Sequence, residues 1–367
     1  MGRHTSAGKD LKGMKAILNE LKRMTGLIKR PLRLMEVCGT HTVAIFRHGI
    51  RDVIPKETAL LSGPGCPVCV TSVKDVDAAV SMSKMTGVIL ATFGDMMRVP
   101  GGEQSLNDAR SEGADIRIFY SPMDALRTAM EEKGREVVFF ATGFETTSPL
   151  IAATVSEAER RGVDNFSIYS THKLVPPALK ALLDSPDVMV DGFILPGHVS
   201  TIIGSKPYQF ISSQYKKPGV ITGFEAEEII EGIFMLVKQI YDCRSEVEIQ
   251  YSKVVREEGN PAAVSVIERC FEPCDAHWRG IGTIPGSGLR LREEYKRFNA
   301  LLKLRPGVPD NPEPAACSCG DVLRGIKTPP ECGMFGSACT PESPVGACMV
   351  STEGSCSAYY KYGAYRG

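Results

Sequence analysis

From residue 32 to about residue 240 the chain repeats one pattern: a short apolar run, a turn rich in glycine, then a helical stretch. Leu32 to Val37 runs into CGTHTVAIFRHGI, and Thr58 to Leu61 into GPGCPVC and a helix from about Thr71 to Met85. Gly87 to Phe93 leads into GDMMRVPGG. Ile116 to Tyr120 precedes a helix opened by Ser121 and Pro122, a capping residue followed by proline at the first helical position. Val137 to Ala141 leads into TGFETTSP, Phe166 to Tyr169 into STHKLVPP, and Phe193 to Leu195 into PGHVSTIIG. Val220 and Ile221 lead into TGFEAEE and a long helix to about Ile240. Strands alternating with helices predict βαβ units and parallel sheets. The expected fold class is therefore α/β, with two related parallel-sheet domains at 32–125 and 126–240 in preference to one large sheet. An internal echo supports the relation: ILATFGD at 89–95 resembles FFATGFE at 139–145, and TGFE returns at 222–225.

After residue 243 the pattern breaks down. A helix is expected over Asn260 to Phe271, a glycine-rich turn and strand in GIGTIPGSGLRL, and a helix over Arg292 to Ala300. PGVPDNPEP then marks a linker into a last segment that holds six of the twelve cysteines: Cys317, Cys319, Cys332, Cys339, Cys348 and Cys356. This segment is dense in Gly, Pro and Ser and offers no regular apolar face, so something other than a core must hold it. Upstream, Leu11, Met14, Ile17, Leu18, Leu21, Met24 and Ile28 recur at helical spacing. This helix, 1–31, is grouped with 241–367 as a third, smaller, loop-rich unit.

Composition narrows the function classes. Lys plus Arg and Asp plus Glu balance at 43 each, so no net field favours nucleic acid or an anionic membrane. No apolar run approaches the roughly 20 residues needed to span a bilayer. The basic first thirty residues lack the continuous apolar stretch of a signal peptide, and Asp10 and Glu20 weaken a transit-peptide reading. Twelve cysteines without a secretory signal, including a CxxC, point to metal or redox thiols in a reducing cytoplasm rather than to structural disulfides.

In open α/β sheets functional groups gather at the carboxyl ends of strands. Cys38 and His41 follow one expected strand, and Cys66 and Cys69 the next. Asp95 and Arg98 follow the third, and Glu145, His172 and His198 come after later ones. GPGCPVC sets two thiols three residues apart, a spacing for a reversible disulfide, and exposure at a helix N-terminus would lower their pKa. Half of a zinc site or an inert buried pair is the alternative. CGTH puts a thiolate and an imidazole on one loop, either a metal or nucleophile site or a buried cysteine beside a satisfied histidine. Glu145 and His198 would orient ligands or relay protons, or merely start helices. Thiolates are soft ligands suited to iron–sulfur clusters and zinc. A cubane takes four of the C-terminal six, leaving two for a dithiol, with structural zinc as the alternative. Cys243, Cys270 and Cys274 read as core or incidental thiols.

EVCGTHT, GPGCPVC, ATFGDMMRVPG, FFATGFETT, ILPGHVSTIIG and CMVSTEGSCSAYYKYG, in that order, resemble the motifs of the HypD family of hydrogenase maturation proteins from about residue 10 onward. The resemblance implies a cytoplasmic scaffold that helps build the Fe(CN)2CO group of nickel–iron hydrogenases. Its implied partners are a small HypC-type chaperone, a HypE-type cyanide donor and, through the chaperone, the hydrogenase large subunit. It further implies Cys38 as the iron-handling thiol and Cys66 with Cys69 as a redox pair. The ligands of a 4Fe-4S cluster would fall on Cys317, Cys332, Cys339 and Cys356, with Cys319 and Cys348 as the dithiol beside it. The competing readings are an iron–sulfur-dependent thiol–disulfide reductase without iron cargo, and a zinc-stabilised binding protein.

Overall fold

The computed structural model describes residues 4–363, with side chains from residue 13 on; Leu11, at the head of the expected apolar stripe, lies outside the described side chains. The strands are β1 (Leu32–Glu36), β2 (Thr58–Ser62), β3 (Val88–Thr92), β4 (Ile116–Ile118), β5 (Glu136–Ala141) and β6 (Phe166–Ser170). They continue with β7 (Gly192–Pro196), β8 (Gly219–Thr222), β9 (Val247–Ile249), β10 (Phe271–Trp278) and β11 (Gly282–Leu291). Two parallel sheets form, in the orders β2-β1-β7-β8-β9 and β4-β3-β5-β6, and β10 with β11 makes an antiparallel hairpin.

The α/β class holds, and the two sheets are related by topology. Each places its second strand on one side of its first and its later strands on the other. The sheets do not, however, divide the chain at 125/126. β3 to β6 form one complete sheet inserted between β2 and β7 of the other. The sequence echoes also fall on non-equivalent strands: ATFGD ends the first strand of its sheet, ATGFE the third of the same sheet, and TGFE the fourth of the other.

Alternation along the strands explains the layering. In β5, Val138 and Phe140 face a central core that also takes Met35, Phe193 and Leu195 of the first sheet. Val137 and Phe139 face an outer core with Ile151, Val155, Phe271 and Leu291. Strands buried on both faces read as continuous apolar runs, which is why FFA and VILA carry no polar partner residue. Each large side chain so buried stabilises the fold by roughly 1.5–3 kcal/mol. Local signals hold as well: Ser121 Oγ accepts from the Met123 N–H at 3.2 Å, capping Pro122–Glu131. Asn260 Oδ1 likewise caps Pro261–Cys270 through the Ala263 N–H at 3.1 Å.

The grouping of 1–31 with 241–367 is also corrected. Leu21 and Met24 of helix His4–Ile28 share a core with Leu34, Ile194, Ile233 and Val237, so this helix covers the outer face of the first sheet. β9 completes that sheet, while Cys270, Phe271, Leu289 and Leu291 cover the second. The helix expected at 292–300 is a 3-10 turn, Glu293–Phe298. The remaining cysteine segment packs between the α/β body and a small core of its own around Cys332, Phe335, Cys339 and Met349.

Candidate functional site

β1 is flanked by β2 on one side and β7 on the other, and the chain leaves it in both directions in turn. A crevice therefore opens at its carboxyl end. Cys38 stands there as the N-cap of helix Gly39–Arg47, in extended backbone conformation. Two glycines allow the crowding around it. A Cβ on Gly65 would lie 2.2 Å from the Cys38 nitrogen, and one on Gly39 would lie 2.5 Å from the carbonyl oxygen of Glu353 and 3.3 Å from Cys66 Cβ. The CxxC loop and the last cysteine segment thus press on Cys38 backbone to backbone. The space left is a cleft of about 270 Å³ lined by Cys38, Thr40, Phe144, Thr146, His198 and Glu353.

Burial pushes the Cys38 thiol up to about 11 and the Glu353 carboxylate adds to the rise, while backbone N–H groups of His41 and Thr40 oppose it. At neutral pH the empty thiol keeps its proton, and a cation is what would draw the thiolate out. Thr40 Oγ1 donates to Glu353 Oε1 at 2.7 Å and holds the carboxylate at the cleft.

His41 does not face the cleft. Its Nε2 lies 2.9 Å from both Gly223 O and Thr222 Oγ1. A carbonyl only accepts, so Nε2 carries the proton and Nδ1, which has no partner, is the bare nitrogen. Burial lowers the ring to about 4, so it is neutral. His41 and His198 stack on Phe224, at 4.7 and 3.9 Å between centroids. His198 is at the mouth of the cleft, its pKa lowered by partial desolvation.

The CxxC turn is not exposed, contrary to expectation. Cys66 and Cys69 are 3% and 0% exposed because the cysteine segment lies over them, and both belong to the central core. Cys66 Sγ accepts from the Cys69 N–H and donates to Ser351 Oγ, each at 3.3 Å. Burial drives the Cys69 thiol well above its ordinary range, and contact with Cys348 opposes that rise. Cys348 Sγ lies 3.1 Å from Cys319 Sγ, and Cys319 hydrogen-bonds Cys317. Cys66, Cys69, Cys348, Cys319 and Cys317 thus form one unbroken row of thiols.

All six C-terminal cysteines line a closed cavity with Met334, Phe335 and Met349. The Cys356 thiol is raised by burial and by its neighbours Cys317, Cys339 and Cys332. Cys319 and Cys348 neighbour Cys356 as well, so the six thiols share an apolar enclosure, where thiolates cannot accumulate without a compensating cation. Among the described residues no group of three His, Cys, Asp or Glu is arranged to hold a single metal ion. A cluster binds each thiolate through a different iron and spaces its ligands more widely, so soft donors around an apolar cavity fit a 4Fe-4S group.

Other candidates fall elsewhere. Glu145 turns away from Cys38: its Oε1 accepts from the Val175 N–H at 2.9 Å and it lines a separate apolar pocket of about 380 Å³. Burial raises its carboxyl to about 7, and Oε2 has no partner. Asp95 is exposed, Arg98 donates to the Pro341 carbonyl, and His172 is buried beside Phe271. Sequence reasoning passed over Glu353 and Phe224. Glu353 had one legible mark, being the only acidic residue after Glu342.

The model of the family described as "HypD: Hydrogenase formation hypA family" matches residues 12–363. The chain is 46% identical over 349 residues to hydrogenase maturation factor HypD2 of Bradyrhizobium diazoefficiens, covering 92% of this chain and 91% of the relative. It is 44% identical over 361 residues to hydrogenase maturation factor HypD of Rhodobacter capsulatus, covering 96% of each. With the HypD factor of Escherichia coli K12 it shares 45% identity over 337 residues, 91% of this chain and 90% of the relative.

Proposed function

The chain belongs to the HypD family of hydrogenase maturation factors, and from that premise we propose that it is the scaffold on which the Fe(CN)2CO group is assembled in the cytoplasm. The observation that carries this reading is the thiol row, which runs from the six-cysteine cavity to Cys66, in the loop whose Gly65 packs on the Cys38 backbone.

In this reading the cargo iron is a substrate held by Cys38, whose proton leaves as the iron–sulfur bond forms. Cyanide and carbon monoxide occupy three of six positions, so a HypC-type chaperone supplies a further thiolate at the cleft mouth. The His198 ring N–H can donate to a cyanide on the iron, while Glu353, held by Thr40, lines the same cleft. A HypE-type partner delivers cyanide as a protein-bound thiocyanate. Attack by the Cys69 or Cys66 thiolate on its sulfur breaks the S–C bond. Cyanide leaves with the bonding pair and a mixed disulfide forms. The second CxxC thiolate then displaces the carrier thiolate, leaving Cys66 and Cys69 as a disulfide. Cys348 and Cys319 return the two electrons by exchange and become oxidised in turn. Cys317, Cys332, Cys339 and Cys356 would hold a 4Fe-4S cluster, which would pass two electrons in succession from an external one-electron donor to the Cys319–Cys348 disulfide. The hydrogenase large subunit receives the finished group through the chaperone.

Metal analysis and infrared spectroscopy of the anaerobically purified protein test this reading. About four irons with acid-labile sulfide, plus further iron carrying CN and CO bands, are expected. A cluster without cargo bands in any preparation, with or without the chaperone, would leave a thiol–disulfide reductase; zinc in place of iron would overturn both.

A further inference from the structure

The pocket lined by Glu145 has no part in the scheme above. Its walls come from five segments: the turn at 145–148, the start of helix Val175–Leu183, the stretch from Ile203 to Pro207, helix Pro261–Cys270 and the β10–β11 hairpin. The lining is mostly apolar, with Ile203, Ile267 and Phe271 beside four prolines, Pro176, Pro177, Pro207 and Pro273. At about 380 Å³ it has the size of a small-molecule site. One turn of chain separates it from the iron-handling cleft: Phe144, Thr146 and Thr147 line the cleft around Cys38, whereas Glu145 and Ser148 line the pocket.

Within this lining Glu145 is 3% exposed. The Val175 N–H occupies its Oε1 at 2.9 Å and fixes the carboxyl, and Oε2 has no donor among the described residues. A buried acceptor left without a donor is costly, and native structures seldom keep one without a use. Burial lifts this acid to about 7, and the groups that oppose the rise are backbone N–H donors rather than a cation. Arg292, the cation of the lining, is engaged at the rim. Its Nε donates to Glu268 O at 2.6 Å and its Nη1 lies 3.8 Å from Glu272. The pocket therefore offers one uncompensated acid among apolar walls.

We propose that this pocket binds a small free primary ammonium ion with an apolar body, its charged end on Glu145 and its body against the prolines. An ammonium brings both the missing donor and the missing counter-charge. A quaternary ammonium has no N–H to give, and a neutral alcohol brings a donor without the charge. The prolines argue for a free molecule over a lysine side chain of a partner protein. Pro176, Pro177, Pro207 and Pro273 have no backbone N–H, so the carbonyls of an accompanying main chain would find no donors along that wall. An alkyl or aryl body asks only for apolar contact.

The test is calorimetric titration of the full-length protein with n-butylammonium, with 1-butanol, and with Nα-acetyl-lysine N-methylamide as the stand-in for a protein lysine. Butylammonium is expected to bind saturably at one site, and 1-butanol roughly tenfold or more weakly. Glu145→Gln keeps the shape of the side chain and removes the charge; it should weaken butylammonium by roughly tenfold or more and leave 1-butanol nearly unchanged. Val264→Phe fills the pocket from its wall and should weaken both. Should the Gln variant fail to fold, the comparison of the two probes on the parent protein and the Val264→Phe result still decide. No saturable binding of butylammonium, or equal affinity in the parent and both variants, would overturn the proposal. Tighter binding of the lysine derivative than of butylammonium would overturn it as well, by assigning the site to a partner's side chain.

Discussion

The two parallel sheets share a strand order but differ in what stands at its carboxyl end. At the end of β1 the chain leaves an open cleft, with Cys38 and His198 on its walls and Glu353 brought in from the far end of the sequence. At the end of the second sheet the hairpin closes the corresponding space. Leu174 N–H donates to Ser287 O at 2.8 Å, Ser170 Oγ to Leu289 O at 2.9 Å, and Phe144 stacks on Trp278. The polar groups there satisfy one another, with Tyr169 and Lys173 both on Asp75. Topology offers the crevice twice, and the loops decide which one is used.

Equivalent positions make the contrast testable. Cys38 caps the helix after the first strand of one sheet, and Phe93 caps the turn after the first strand of the other. Cys38→Ala should reduce hydrogenase maturation and the CN and CO infrared bands to background, with thermal stability and cluster absorbance retained. Phe93→Ala loses the edge contact with Phe139 (5.2 Å between centroids). It should cost roughly 2 kcal/mol of stability and leave maturation intact in protein that folds. Retained CN and CO bands in Cys38→Ala would remove the distinction between the two ends.

The glycine after each cap gives a smaller effect of the same kind. A methyl on Gly39 meets the Glu353 carbonyl at 2.5 Å, whereas one on Gly94 comes no nearer than 3.5 Å to Ile118 Cγ2. Gly39→Ala should therefore destabilise by about 1–3 kcal/mol and Gly94→Ala by no more than about 0.5 kcal/mol, measured by denaturant unfolding. Equal costs would show that the second crevice is packed as tightly as the first.

Much of this was legible locally and little of it globally. The apolar runs, the Ser121 cap and the glycine-rich strand ends are written in neighbouring residues, and each appears in place. The nesting of one sheet inside the other was not, because Leu34 pairs with Gly192 across the whole intervening unit and nothing in either strand's pattern names its partner. TGFE misled for a related reason: it marks a strand end, which several strands share. The CxxC looked exposed because its cover comes from Ser351 and Cys348, and Glu353 was missed because its role depends on meeting Thr40 across that same distance.

Buried titratable groups extend the comparison to pH. His41 at the first site and His172 beside the second sheet have folded values of about 4 and about 3, below their ordinary 6.5, through burial. Glu36 and Glu145 are raised from 4.5 to about 7, again by burial. Between pH 5 and 6.5 the unfolded chain gains protons on two histidines while the folded chain holds them on two carboxyls. The counts largely offset, and His198, also lowered, adds a small excess of protons in the unfolded state, so stability of the metal-free protein should fall only slightly on acidification. Below 4.5 the carboxyls are protonated in both states, and only the histidine difference remains, so stability falls with pH. Glu145→Gln removes one folded-state proton and unmasks one histidine. Its stability should fall on acidification from 6.5 to 5 by about 1.4 kcal/mol per pH unit. A flat profile in that variant would mean that Glu145 is ionised in the folded protein.

The smallest effect expected is at the cleft wall. Thr40→Val deletes the hydroxyl that holds Glu353 and should cost no more than about 1.5 kcal/mol of stability, with cargo iron bound more weakly but still present. An unchanged iron affinity would place the carboxylate outside the iron's reach.

Because the second sheet is inserted between β2 and β7, the chain meets its own parts in a fixed order during synthesis. Cys38 and the CxxC are made early but have no β7 beside them until the inserted unit has emerged, a delay on the order of ten seconds at ordinary elongation rates. Ser351, Glu353 and the thiols of the cavity are made after every strand of both sheets. A nascent chain therefore leaves Cys38, Cys66 and Cys69 uncovered until that segment has emerged. On the reading proposed above, an iron site at Cys38 would be complete only once Glu353 has met Thr40, so a product stalled before residue 353 would hold no half-built cofactor to release.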